Sequence, residues 1–461
     1  MTTIPIMPAK ETGHQFVIYG DSCSGVPDAL HESTFKQVNN VIQRLDTPPQ
    51  FICYPGDEIM GLTTDADELR RQWAYWFQHE MAWLNRDEIP MYHTTGNHTT
   101  YDPMSEELFR EVMAHLPQNG PDDQHGLSYF VRRGDLLMVF VNTLWSGLGG
   151  EGNVETDWLE QTLQQNSDAK HKLVFGHHPV FTVNGFFADY QRNIERENGL
   201  QFWQILMKHD VLAYVCSHIL AFDVQVHSDI LQICTAGSGT AHRMPEGIEY
   251  LHALQVALDD EGLRYQVLDT DGQVREWLAW DWKLPASDTW ETFDSTCAQK
   301  LSTDCLQQVD TAQLIVWEIS GQIGNDNKAS RQTIFHSGGN KSALPNLWLG
   351  ITGRDNHLIL LVSPQANRSP HAWYGRALPM NRPFKIQFAI HSGMGPGGFL
   401  WRWDDSHAWS TLTGSSPWGA ERLAWSHQWV IGYDDSLQPF REQNLNITWH
   451  HQTFALADYL T

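Results

Sequence analysis

Five short polar motifs in the first half of this chain each follow an apolar run, and that pairing constrains the fold more than any other feature. Phe16-Val17-Ile18-Tyr19 runs into Gly20-Asp21-Ser22-Cys23, and Phe51-Ile52-Cys53-Tyr54 into Gly56-Asp57. The runs at 90–94, 173–175 and 211–215 lead into Gly96-Asn97-His98, Gly176-His177-His178 and Cys216-Ser217-His218. A further strand is expected at 136–141. Between the runs, Phe35, Val38, Val41, Ile42 and Leu45 repeat at helical spacing, and a helix rich in Trp and Glu is expected over about 65–84, capped by Thr63 or Thr64. Strand and helix in alternation predict a layered α/β domain. In such domains ligands gather at the carboxyl ends of the strands, where every motif sits.

The motif residues are oxygen and imidazole donors, the set that a hard or borderline divalent metal requires. Taken singly, an Asp after a Gly is more often a turn former or helix cap. The ordered set is what points to a metal.

From Gln313 onward the period changes to two. Phe384, Ile386, Phe388 and Ile390 alternate with Lys385, Gln387 and Ala389, and Leu445, Ile447 and Trp449 alternate with Asn446 and Thr448. Gly, Asn and Pro clusters punctuate these runs, which predicts an antiparallel β-sandwich. The expected layout is an α/β domain over 14–282, a polar linker over 283–312 and a β-sandwich accessory domain over 313–461. The run from Ser392 to Gly398 has neither a following helix nor a Lys-Ser/Thr, so it reads as a tight loop and not a phosphate cradle. Trp401, Trp403, Trp409, Trp418, Trp425 and Trp429 read as sandwich core, with stacking on a glycan as the alternative.

At 461 residues, with 41% hydrophobic and 18% charged residues, the chain has material for two globular domains. A net charge of −25 argues against duplex nucleic acid and anionic membranes as partners. The start, 1–13, lacks a basic segment followed by an apolar one, and six cysteines without a C-x-x-C pair suit a reducing compartment, so a cytoplasmic location is expected. Cys53, Cys216 and Cys234 read as core residues and Cys297 and Cys305 as free thiols. The Asn-x-Ser/Thr triplets at Asn340, Asn367 and Asn446 read as chance.

The motif series resembles the calcineurin-like metallophosphoesterase family, whose pattern runs D-x-H, G-D, G-N-H-[D/E], a later His after a strand, and G-H-x-H. Order and strand context agree over roughly residues 14–280, including the helical segment 154–163. The resemblance implies an αββα domain, a phosphorylated small-molecule substrate and a manganese, iron or zinc centre. It makes Asp57 a carboxylate shared by two metals, with Asn97, His177 and His218 completing the second metal's set. Asp21 falls to the first metal. His98 matches a histidine that binds no metal and acts beside the phosphate. His178, before Pro179, reads as a supporting residue. The second half faintly resembles concanavalin-like or laminin-G-like sandwiches, which implies no site residues and leaves its ligand, glycan or protein, open.

Two expected imidazoles are missing, and both belong to the first metal: Cys23 stands for one and Leu220 for the other. Purple acid phosphatases place a Tyr three residues after the G-D aspartate, where this chain has Met60. Thr99 follows His98 in place of an acid, with Asp102 nearby. Cys23 is open between a thiolate ligand that favours a softer ion and a small buried replacement. A catalytically weakened binding or scaffold protein, or an iron enzyme of different chemistry built on Asp57, His177 and His218, are the rival readings. The substrate-reading loops, about 103–126 and 181–198, carry no motif.

Overall fold

The computed structural model describes residues 2–145, 152–186, 193–239, 248–280, 282–292, 299–300, 314–323, 331–337, 347–363, 370–403, 408–414, 416, 428–431, 446–452 and 456–460. The chain divides into two compact units. The first comprises Met1–Val224, Ile230–Asp281 and Leu456–Thr461, and the second Gln225–Asp229 and Trp282–Ala455. Most of the linker expected over 283–312, with Cys297 and Cys305, lies outside the described residues.

In the first unit the elements run β1 (His14–Ile18), α1 (Leu30–Ile42), β2 (Ile52–Tyr54), α2 (Ala66–Tyr75), β3 (Met91–His93), α3 (Pro103–Val112), β4 (Tyr129–Arg133), β5 (Leu136–Phe140), α4 (Thr156–Gln165), β6 (His171–Phe175), α5 (Arg196–Lys208), β7 (Ala213–Cys216), β8 (Phe222–His227), β9 (Ile230–Thr235), β10 (His252–Asp259), β11 (Gly262–Asp269) and β12 (Val274–Trp280). One sheet has the order β12-β11-β10-β1-β2-β3, with β1, β2 and β3 parallel and β10 to β12 antiparallel. The other runs β8-β9-β7-β6-β5-β4, with β5, β6, β7 and β9 parallel and β4 antiparallel.

The sheets face each other. Cys53 of β2 meets Met138 of β5, Tyr92 of β3 packs on Phe140, and Phe222 of β8 on Tyr265 of β11. Burial on both faces explains why β1, β2, β5, β6 and β7 read as unbroken apolar runs and not as alternating ones. On the outside, α4 and α5 bury Leu159, Leu163, Phe202 and Leu206 against β5, β6 and β7. On the other flank Phe35 of α1 stacks on Tyr19, and Trp76 lies across Phe35 and Tyr54. The fold is therefore the layered α/β arrangement expected.

Two local expectations need correction. The cap of α2 is Asp65, not Thr63 or Thr64. Its backbone is extended (φ −97°, ψ 107°), and its carboxylate accepts from the N–H groups of Asp67 and Glu68. The helix expected to continue to about 84 widens instead into a π-helical turn at Trp76–Glu80. The wider turn lies where the fully buried Trp76 donates its indole N–H to Ser22 Oγ at 3.2 Å.

The second unit is all-β. One antiparallel sheet joins Asn446–Gln452, Leu314–Gln322, Pro383–His391 and Phe399–Trp403. The other joins Gln428–Ile431, Gln332–Ser337, Leu347–Ile351, His357–Val362 and His371–Ala377. Their apolar faces share a core in which Trp317 meets Phe335 and Trp373 meets Phe399, with ring centroids 5.2 and 4.7 Å apart. Phe384, Ile386, Phe388 and Ile390 all enter that core, as the period of two requires. Trp401 and Trp409 are buried and fill space, while Trp403 packs on the core and is partly buried. Trp418, Trp425 and the Trp429 side chain lie outside the described residues. The glycine-rich run forms a 3-10 turn, Ser392–Gly397, between two antiparallel neighbours, where a Cβ on Gly398 would sit 2.1 Å from the His391 carbonyl. No helix among the described residues is long and apolar enough to cross a membrane.

Candidate metal centre

Because β1, β2, β3, β6 and β7 lie in parallel ladders, their carboxyl ends deliver the five motifs to neighbouring loops. The loops are tightly wound. Asp21, Cys23, Asp57 and His218 all adopt left-handed conformations, with φ of 61°, 42°, 58° and 64°. Such angles are unfavourable for side chains other than Gly, Asn and Asp, and they gather at sites where structure is held against its local preference. The motif glycines allow the close approach. A Cβ on Gly96 would stand 2.2 Å from Asp57 Oδ1, and one on Gly56 would strike the Thr95 carbonyl at 2.7 Å and His177 Nδ1 at 2.8 Å.

His177 is at the centre and is fully buried. Its Nδ1 lies 2.9 Å from the Pro55 carbonyl, an acceptor only, so Nδ1 carries the proton there. Its Nε2 lies 3.0 Å from Asn97 Oδ1, 3.2 Å from His218 Nδ1 and 3.2 Å from Asp57 Oδ2. An amide oxygen, a carboxylate oxygen and two imidazole nitrogens thus converge from four loops. Ligand atoms of Asp57, His177 and His218 all fall within 4.8 Å of one another. Four such acceptors repel unless a positive charge sits among them. Burial opposes a proton on His177, but the Asp57 and Asp21 carboxylates outweigh it and hold the imidazole's pKa well above its ordinary value. The donor set fits a divalent transition metal, which would take the place of that proton.

Asp57 is set for this. Its Oδ1 accepts the His98 backbone N–H at 2.8 Å, leaving Oδ2 toward His177. Burial pushes its pKa up, yet His177 and His98 prevail and the carboxyl stays below the usual range. A second cluster, again within 4.8 Å, joins Asp57 to Cys23 and His98. Cys23 is buried, and its backbone N–H binds the Asp57 carbonyl at 2.8 Å.

Asp21 belongs to neither cluster. Its Oδ2 accepts the His218 N–H at 3.2 Å, and burial, then the neighbouring Asp57 charge, raises its pKa. His98 is partly exposed, and its Nδ1 lies 2.7 Å from the Met60 carbonyl, which turns Nε2 the other way. Met60 therefore contributes backbone, while its side chain is 36% exposed. Asp102, noted as the acid nearest His98, is engaged elsewhere. Its carboxylate accepts the Ser105 N–H at 2.7 Å as the cap of α3, so it does not stand in for the missing acid. Thr99 turns back on its own loop, bonding Gly96. His178 is buried and shares a 2.8 Å hydrogen bond with Thr143, while its ring lies 4.3 Å from that of His218.

Several supporting residues were not singled out in the sequence. Ser217 donates to the Pro55 carbonyl at 2.6 Å, beside His177 Nδ1. Glu58 and His93 form a fully buried 2.8 Å hydrogen bond behind Asp57. Burial raises the pKa of the Glu58 carboxyl well above its ordinary value and lowers that of the His93 imidazole to about 3, so both shifts disfavour charge on the pair. The position of Glu58, next to Asp57, was the one clue in the sequence.

Cys23→Ser is expected to leave metal content at the four-donor cluster unchanged, because Asp57, Asn97, His177 and His218 do not depend on the thiol. Elemental analysis of the two proteins side by side checks this. A lost equivalent in the Ser variant would make Cys23 an obligatory ligand.

Residues 14–222 match the family model for calcineurin-like phosphoesterase. No curated protein matches the chain. Among solved structures, a purple acid phosphatase from yellow lupin is 13% identical, with a TM-score of 0.44, covering 59% of this chain and 54% of its own. The chain thus spans about half the length of that enzyme. A dimetal phosphatase from Danio rerio is 15% identical with a TM-score of 0.42, covering 56% of this chain and 96% of its own. GAP50, the anchor in the inner membrane complex of Plasmodium, is 14% identical with a TM-score of 0.39, covering 59% and 90%. All five motifs fall within the residues that match the family model, 14–222.

Proposed function

We propose that this domain hydrolyses a small phosphate ester at a centre built on Asp57, Asn97, His177 and His218, with His98 as the catalytic residue that binds no metal. The observation that carries the reading is the convergence of three metal-type donors, from Asp57, Asn97 and His218, on a fourth, His177 Nε2, at 3.0–3.2 Å. A bound manganese, iron or zinc ion would supply Lewis acidity toward a phosphoryl oxygen and toward the attacking water.

The chain's own residues do the rest. Asp57 bonds the His98 N–H through one oxygen and faces the cluster with the other, so one carboxylate fixes both the centre and the histidine beside it. His98, with its Nδ1–H donated to the Met60 carbonyl, presents Nε2, which in the doubly protonated imidazolium would donate to a departing ester oxygen or to a phosphoryl oxygen. The Pro55 carbonyl and Ser217 orient His177. By the family resemblance the histidines missing at Cys23 and Leu220 would both have served one metal, which favours a single tightly held ion over a symmetric pair, with Asp21 and Cys23 left as donors for a weaker second ion.

His98→Ala is expected to lower kcat about 100-fold or more on generic aryl phosphate mono- and diesters while metal content stays at the wild-type level. Turnover measured with manganese, iron or zinc, alongside elemental analysis, checks this. Undiminished turnover in the variant would refute the role given to His98. A wild-type protein that holds its metal yet turns over neither ester class would favour the scaffold reading that the two missing histidines suggest.

A further inference from the structure

At the opposite, amino-terminal end of the strands a second group of imidazole and carboxylate side chains stands apart from the motif loops. His14 opens β1 and His171 opens β6, Asp135 lies in the β4–β5 turn, and Asp260 lies in the β10–β11 turn. Two of these elements belong to one sheet and two to the other. His14 Nε2 is 2.8 Å from Asp135 Oδ1, and His171 Nε2 is 3.8 Å from Asp135 Oδ2. Ligand atoms of Asp135, His171 and Asp260 all lie within 4.8 Å of one another.

One atom here lacks what its surroundings should provide. His171 is more than nine-tenths buried, and its Nε2 has no hydrogen-bond partner. Buried polar nitrogens are almost always satisfied, so an orphan aimed at two carboxylates points to a ligand. Burial also keeps the imidazole's pKa below the ordinary histidine value, which leaves it neutral with a lone pair to give. The carboxylate beside it is already oriented, since His14 occupies the other oxygen of Asp135. Outer partners of this kind accompany metal-ligating carboxylates.

We infer that His171, Asp135 and Asp260 bind a divalent transition cation such as zinc, with His14 as the positioning residue for Asp135, and that the ion ties the two sheets together away from the catalytic centre. A tetrahedral ion with bonds of about 2.0–2.2 Å holds its ligand atoms about 3.3–3.5 Å apart, so only small rotations are needed from the observed spacing. Asp260 can make them. It is 84% exposed, and its ion-pair partner Lys170 is itself half-exposed. One imidazole and two carboxylates leave a fourth position for water.

The full chain with His177→Ala, which removes the shared imidazole of the motif cluster, provides the background for the test. Zinc stoichiometry and affinity are measured by calorimetry and elemental analysis, and Tm is measured with and without zinc. The background protein is expected to bind one zinc and to gain several degrees in Tm. Adding His171→Gln should abolish both effects, and adding Asp260→Asn, at an exposed position that folding does not need, should weaken zinc binding at least about tenfold. Zinc binding unchanged in both double variants, or absent from the background protein, overturns the assignment.

Discussion

Asp57→Asn is expected to reduce phosphoester turnover by about a thousandfold or more and to strip the protein of tightly bound metal. The substitution is nearly isosteric. Asn can still accept the His98 N–H through its oxygen, which in the native protein makes a 2.8 Å bond to Asp57 Oδ1. What disappears is the negative charge 3.2 Å from His177 Nε2, on the carboxylate that the two clusters share. An amide nitrogen turned toward the cluster would place a donor where three acceptors already point inward. Metal affinity should therefore collapse while the fold survives. Elemental analysis, turnover on aryl phosphate esters and circular dichroism on the same sample separate these outcomes. A variant that keeps both its metal and its activity would remove Asp57 from the centre.

Arg264→Met should destabilise the first unit by about 3–5 kcal/mol, the usual result of leaving a buried charge without its partner. Arg264 and Asp259 are 4% and 5% exposed and form a two-pronged pair. Nη1 donates to Oδ1 at 2.9 Å and Nη2 to Oδ2 at 2.6 Å, with the Pro8 carbonyl as a further acceptor at 3.3 Å. The pair lies across the β10–β11 turn, and Asp259 also accepts the backbone N–H groups of Lys10 and Glu261. Burial raises the Asp259 pKa, but the Arg264 hydrogen bonds and these backbone donors overcome it and lower the value to about 2. An unfolded aspartate titrates near 3.9. The stabilisation is therefore complete above about pH 4 and is lost as pH falls through about 2. Urea unfolding at pH 7 measures the loss in the variant. A difference below about 1 kcal/mol would mean that the Lys10 and Glu261 N–H groups alone satisfy the Asp259 carboxylate and that Arg264 is not its needed partner.

Much of the centre was legible because strand ends are local. An apolar run followed by Gly-Asp or Gly-Asn-His specifies a strand and what leaves it, and both depend on consecutive residues. The sandwich core was legible for a similar reason, since Phe384, Ile386, Phe388 and Ile390 declare one face by their period alone. Asp102 marks where such reasoning fails. Proximity to His98 in sequence suggested a shared task, yet three residues further on Ser105 offers an unpaired helix N–H, and the carboxylate goes there. The π-helical turn at Trp76 was equally hidden, because it lies where the indole meets Ser22, 54 positions away.

The sequence by itself determined which donors exist, their order along the strands and the absence of imidazoles at Cys23 and Leu220. Tertiary structure alone decided which of those donors meet. Asp57, Asn97 and His218 converge on one nitrogen of His177, while Asp21 accepts a backbone N–H. The same holds for His14, Asp135, His171 and Asp260, four residues without a motif that gather where two sheets end together. Side-chain identity and strand order are written in neighbouring residues, whereas convergence depends on the register and packing of sheets whose strands are far apart in the chain.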